Sequence, residues 1–227
     1  MKLFSKNAIK CSGTGSNCTI DGTQVGIVVV RTQMTIRVRF KVISSTFGYD
    51  IIKKDGEYKL SIDTNGNIVF SVYDGLDWDP AVIGPIANVG EWYDVVCVIS
   101  VGSNVINKIM YVNTITNKFT EITQGGDITQ TTNSLIIGDS EIVVDNFMVW
   151  SKALPETDID VLFKGGIVFS MLDFWLAFED IDMYSTDTTE IIYKRYKGIL
   201  NNFEIVDGKE LENIKALNNK IVVVKKY

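Results

Sequence analysis

Hydrophobic and polar positions along this chain alternate with a period of two over much of its length. Met34, Ile36, Val38, Phe40 and Val42 interleave with Thr35, Arg37, Arg39 and Lys41. That pattern predicts a strand with one face in a core and the other polar. Residues 58–62 alternate in the same way, then comes the cluster Asp63-Thr64-Asn65-Gly66-Asn67, then the apolar run 68–73. Asn-Gly accepts the positive φ of a tight turn, so this stretch is predicted to be a hairpin. Further strands are predicted at 25–30, 92–99, 106–112, 118–122, 134–137 and 143–150.

One helix is expected over 155–164. Pro155 stands in its first turn, Glu156 and Asp158 at the positive end of its dipole, and Gly165-Gly166 at its stop. Ile159, Leu162 and Phe163 would form its buried stripe. Strand-like runs resume at 174–178, 196–200 and 220–224. Many short strands with turn punctuation and a single helix imply an all-β sandwich or barrel. No low-complexity linker divides the chain, so a single domain over 1–227 is expected.

The order of these pieces resembles the laminin-G-like and pentraxin-like branch of the concanavalin A-like jelly rolls. The resemblance is carried by Met34-Thr35-Ile36-Arg37-Val38-Arg39-Phe40-Lys41, by the hairpin Tyr58 to Tyr73, and by Gly90-Glu91-Trp92-Tyr93-Asp94-Val95-Val96. It continues through Met110-Tyr111-Val112-Asn113 and Leu135-Ile136-Ile137-Gly138, and closes with Ile142 to Pro155 running on to Gly165. Residues 34–165 hold the best match. The segment 174–224 resembles material that family members carry at their beginning, and so does the stretch from Asn7 to Val30. The chain is therefore permuted, partly duplicated, or extended by extra strands that cover a sheet edge. What the resemblance implies is a concanavalin A-like jelly-roll β-sandwich with one short helix.

Composition narrows the chemistry. The chain contains no histidine, so a Ser-His-Asp triad, a Cys-His dyad and a His-ligated zinc site are excluded within it. A formal net charge of −6 gives the molecule as a whole no basic footprint for nucleic acid. The first residues show no apolar leader. The longest apolar stretch, 167–178, contains Ser170 and Asp173 and is too short to span a bilayer, so no membrane insertion is expected.

Four features are candidates for function. In Asp74-Gly75-Leu76-Asp77-Trp78-Asp79-Pro80 a tryptophan sits between two acids in a turn. Trp78 can stack on a sugar face while Asp77 and Asp79 accept hydroxyl hydrogen bonds, with Tyr73 beside them; equally, Trp78 can fold back onto the rim of the sandwich. Asp145 occupies the place where the resembled family often supports calcium, yet the early loop 12–17 offers no carboxylate for the six to eight oxygens that calcium needs. Cys11 and Cys18 flank a hairpin-like loop and are either bridged or two reduced thiols. Glu179, Asp180 and Asp182 do not give the alternating acids of a glycan hydrolase, whose retaining pair must lie about 5–5.5 Å apart. Arg37, Arg39 and Lys41 are expected to be solvated or paired with acids on a neighbouring strand. Trp92, Trp150 and Trp175 are expected in the core, with Cys97.

The expected function is a non-enzymatic recognition or adhesion module, carbohydrate-binding, at an extracellular, cell or virion surface. The alternatives are a structural protein of a virion or cell envelope, and a glycan hydrolase or lyase. Homo-oligomers are expected to form, if at all, through edge strands or the C-terminal tail.

Overall fold

The computed structural model describes residues 7–11, 17–20, 32–78, 81–102, 105–124, 128, 130–138, 141–168, 170–177, 189–193, 196–201, 203–207 and 221–222. In chain order the strands are β1 (Asn7–Cys11), β2 (Asn17–Ile20), β3 (Gln33–Val42), β4 (Tyr49–Lys54), β5 (Tyr58–Ile62) and β6 (Asn67–Val72). They continue as β7 (Val82–Ile86), β8 (Trp92–Gly102), β9 (Val105–Val112), β10 (Thr114–Gln124), β11 (Leu135–Ile137) and β12 (Ile142–Trp150). After helix α1 (Glu156–Phe163) come β13 (Leu172–Ala177), β14 (Thr189–Tyr193), β15 (Tyr196–Asn201), β16 (Phe203–Asp207) and β17 (Ile221–Val222).

These strands form two sheets. The first runs β10-β9-β8-β3-β12-β1-β16, with β13 also on β12; the second runs β17-β14-β15-β2-β11-β4-β5-β6-β7. The pairs are antiparallel except β14 with β17. The alternating residues of β3, β5 and β6 meet between the sheets, where Met34, Ile36, Val38, Phe40, Leu60, Ile62, Ile68 and Phe70 are buried in one core. The chain is thus an all-β jelly-roll sandwich, as the alternation and the resemblance imply.

The predicted hairpin forms with Ile62 opposite Ile68. Gly66 adopts φ +87°, and Asp63 Oδ1 accepts the amides of Asn65 and Asn67, each at 2.8 Å. The helix also forms where the spacing places it. Gly165 takes φ +81°, its amide donating to Leu162 O, while the Gly166 amide donates to Val161 O at 2.8 Å. This is the left-handed stop that glycine allows.

A second core lies on the outer face of the first sheet. Val96, Val98, Tyr111, Met148 and Trp150 are covered there by Leu154, Ile159 and Leu162. Hydrogen bonds hold the cover down, among them Thr35 Oγ1 donating to Lys152 O at 2.7 Å and Trp150 Nε1 donating to Val168 O at 2.7 Å. Consequently every residue of β12 is buried, although a strand with one wet face would alternate.

Two expectations need correction. Trp92 is not a core residue: it opens β8 on the outer face, beyond the reach of α1, and is 37% exposed. Thr35 and Arg37, read as polar-face positions, are buried because the helical cover and the neighbouring strand close over them. The β-branched run 25–30 and the side chain of Trp175 lie outside what is described. In the tail, β15 pairs with β2 and β16 with β1, so the tail strands enlarge both sheets.

Candidate binding surface

The outward face of the second sheet carries the loop that the sequence singles out. Inward-pointing Tyr58, Leu60, Phe70 and Val72 alternate with outward-pointing Lys59 and Ser71, which stand directly opposite one another across β5 and β6. On the other side Lys59 faces Lys53 of β4. A row Lys53–Lys59–Ser71 therefore crosses three strands.

The loop after β6 folds back onto this row. Trp78 lies with the Lys59 ammonium 4.7 Å from its ring centroid, and Tyr73 meets it at a tilt, centroids 5.3 Å apart. A cation on an indole face contributes about 0.5–1 kcal/mol at an exposed site. Asp74 shapes the loop: its Oδ1 accepts the amides of Leu76 at 2.8 Å and Asp77 at 2.7 Å. The N–H groups of Asp77 and Leu76 hold its carboxyl below the usual carboxylate range, with the ammonium of buried Lys108 adding to the effect. Asp77 Oδ1 in turn accepts the amide of Trp78 at 2.6 Å. Leu76 is left 89% exposed at the tip. Asp79, the fourth residue singled out with Tyr73, Asp77 and Trp78, lies outside the described residues.

A rigid base supports the loop. The Tyr73 amide donates to Glu57 O at 2.8 Å. Glu57 and Lys54, both fully buried, form an ion pair at 3.0 Å. Lys54 Nζ also donates to Thr131 O and Asn133 O at 2.9 and 2.8 Å, and Glu57 Oε1 accepts the Thr131 amide at 2.7 Å. A buried pair survives only where its remaining hydrogen-bonding capacity is met, and these carbonyls and amides meet it. Lys54 and Glu57 were invisible to sequence reasoning, because Lys53-Lys54-Asp55-Gly56-Glu57 looks like a solvated turn. The inward parity of Lys54, two residues after Ile52, was the available signal.

On the first sheet, the cationic row of β3 is paired with acids on its neighbours. Arg37 grips Asp94 through Nε–Oδ1 at 2.9 Å and Nη2–Oδ2 at 2.6 Å. Arg39 Nη1 meets Asp145 Oδ2 at 2.5 Å and lays its guanidinium 4.7 Å from the Trp92 ring centroid. Asp145 is 2% exposed. A guanidinium already stands on its carboxylate, and among the described residues no cluster of three or more Cys, Asp or Glu surrounds it. The described donors around Asp145 do not fit calcium.

Cys11 and Cys18 sit on strands of opposite sheets, both buried, and no disulfide joins them. Burial, and then the neighbouring Cys11, push the Cys18 thiol up. Cys97 is a core thiol, as its strand position implies. The acids at 179–182 lie outside the described residues. Among the described residues no helix is long and apolar enough to cross a membrane.

Residues 11–160 match the family model described as the concanavalin A-like lectin/glucanases superfamily. No curated protein matches the chain. Among solved structures, the fold is similar to that of a candidate carbohydrate-binding protein from Bacteroides ovatus. The two are 16% identical with a TM-score of 0.66, over 96% of this chain and 63% of that one. The binding domain of botulinum neurotoxin serotype D is also 16% identical, with a TM-score of 0.52 over 70% of this chain and 42% of that one. A heptameric SAP-like pentraxin from Limulus polyphemus is 16% identical at a TM-score of 0.51, over 79% and 94%. The chain thus spans less than two thirds of the Bacteroides protein and of the toxin domain, and at this identity the likeness is one of fold.

Proposed function

The chain belongs to the concanavalin A-like lectin/glucanase superfamily, and we propose that within it this protein is a non-catalytic carbohydrate-recognition module at a cell or virion surface. The observation that carries this reading is the cluster of Trp78, Tyr73 and Lys59 on the outward face of the second sheet. An indole supplies a flat apolar surface for the C–H face of a sugar, and hydroxyl and ammonium groups around it supply direction. The base beneath is fixed by the buried Lys54–Glu57 pair, so little ordering is required on binding. The Bacteroides ovatus neighbour, named for carbohydrate binding, supports the same reading.

A non-catalytic role is supported by how the loop spends its acids. Asp74 and Asp77 accept main-chain amides of their own loop, an architectural duty rather than proton transfer.

The test is a glycan panel probed with the full chain and with Trp78→Ala. Binding by the parent chain that falls at least ten-fold in the variant, with an unchanged far-ultraviolet circular dichroism spectrum, is the expected result. No binding to any glycan, or binding indifferent to Trp78, overturns the assignment. Turnover of a bound glycan would move the protein to the enzymes.

A further inference from the structure

We propose that the ligand of this surface is an acidic saccharide, one whose carboxylate is taken by Lys59 while its ring lies on Trp78. The proposal rests on the reading of the Tyr73–Trp78 loop as a glycan site. Lys59 is a half-buried cation whose described contact is with an aromatic ring: its ammonium stands over Trp78, and among the described residues no carboxylate pairs with it. Lys53, directly opposite on β4, is matched by Asp55 at 3.2 Å. Arg37 and Arg39 on the other sheet are matched by Asp94 and Asp145.

Like charges directly across a sheet are unfavourable neighbours. Asp55 offsets that disadvantage on the Lys53 side, and an anion beside Lys59 relieves it on the other. The loop's own described acids do not supply the anion, because Asp74 and Asp77 are turned to the amides of residues 76–78. Ser71, on the other side of Lys59, is buried and contributes no charge to the row.

The same geometry gives a sequence of events. In the free protein the ammonium occupies one face of the indole. A charge-assisted hydrogen bond to a carboxylate is stronger than a cation–π contact at an exposed site. On binding, Lys59 swings from the ring to the carboxylate, and the indole face it leaves is bared to the sugar. Lysine suits this exchange, as a compact charge on a flexible stem.

The experiment uses the full chain against neutral, carboxylated and sulfated oligosaccharides, with the carboxylated members also presented as methyl esters. Titration calorimetry of the best binder then follows for Trp78→Ala, Lys59→Gln and Lys59→Arg at low and high salt. The expected result is binding confined to free carboxylates, weakened by salt, reduced roughly ten-fold or more by Lys59→Gln, and largely kept by Lys59→Arg. Preference for neutral or methyl-esterified sugars, or affinity unchanged in Lys59→Gln, overturns the proposal. Preference for sulfated over carboxylated sugars overturns the carboxylate assignment. If Trp78→Ala abolishes binding while Lys59→Gln does not, only the acidic specificity fails. If Trp78→Ala binds normally, the site itself fails.

Discussion

Trp78 and Trp92 carry the same local motif on opposite sheets: a cation 4.7 Å from the centroid of a partly exposed indole. What stands behind the cation differs. Arg39 is tied to a buried carboxylate, Asp145, so ring, guanidinium and acid form a closed stack rooted in the sheet. Among the described residues Lys59 has the ring and no carboxylate, and Trp78 sits on a loop rather than a strand. Identical pairwise contacts thus serve opposite ends. One is a fastening that completes the protein, the other a contact that, in the proposed site, a ligand replaces.

The sharpest way to break this contrast is Asp145→Ala. Leaving the Arg39 guanidinium without its buried partner should cost about 3 kcal/mol in urea-induced unfolding. A cost below about 1 kcal/mol would mean that Arg39 is satisfied by water and that Trp92 is held no better than Trp78. Trp92→Ala should come next, at about 1–2 kcal/mol from the lost half-buried surface and the lost cation contact, with glycan affinity untouched. Loss of affinity there would exchange the roles of the two tryptophans.

Lys59→Met should shift stability by no more than about 0.5 kcal/mol, since the group lost has a ring contact at a partly exposed site and no buried carboxylate among the described residues. A large loss of stability would make Lys59 a fastening after all. The gentlest probe is acid. Asp74 is held below the usual carboxylate value, so its contribution to the loop is complete above the unfolded value near about 3.9 and is lost as pH falls through the lower folded one. Amide resonances of Leu76 and Asp77 should stay constant from neutral pH down to the carboxylate range and then shift before the strand amides do. Loop amides that shift together with the strands would deny the loop an independent anchor.

The chain's alternation made β3, β5, β6 and α1 legible, since each has a single periodicity and an unambiguous stop. Among the strands that escaped, β4 and β7 did so for reasons the structure shows. In β4 the irregularity between Asp50 and Ile52 buries Ile51 and Ile52 together and destroys the alternation. In β7, Gly84-Pro85 resembles a turn, yet a proline is tolerated on an edge strand, and a methyl added at Gly84 would stand 3.1 Å from Ile68 O and displace the end of Met110. Trp78 could be singled out because it interrupts a turn composition. Lys59 could not, because its meeting with Trp78 depends on how the loop folds back over β5 and β6. Trp92 was misjudged because period-two patterning says which residues point outward, not which part of an outer face a later helix will cover.

The placement of the first two strands has a kinetic consequence. Ile9 finds its partners at Val144 and Ile205, and Thr19 finds its own at Ile136 and Ile199. Emerging from the ribosome, the N-terminal segment has no native neighbour until most of the chain has been made. Such distant pairings put the protein among slow folders of high contact order, in the range of milliseconds to seconds. Until the later strands arrive, the backbone edges of β1 and β2 stay unpaired and open to association with other chains.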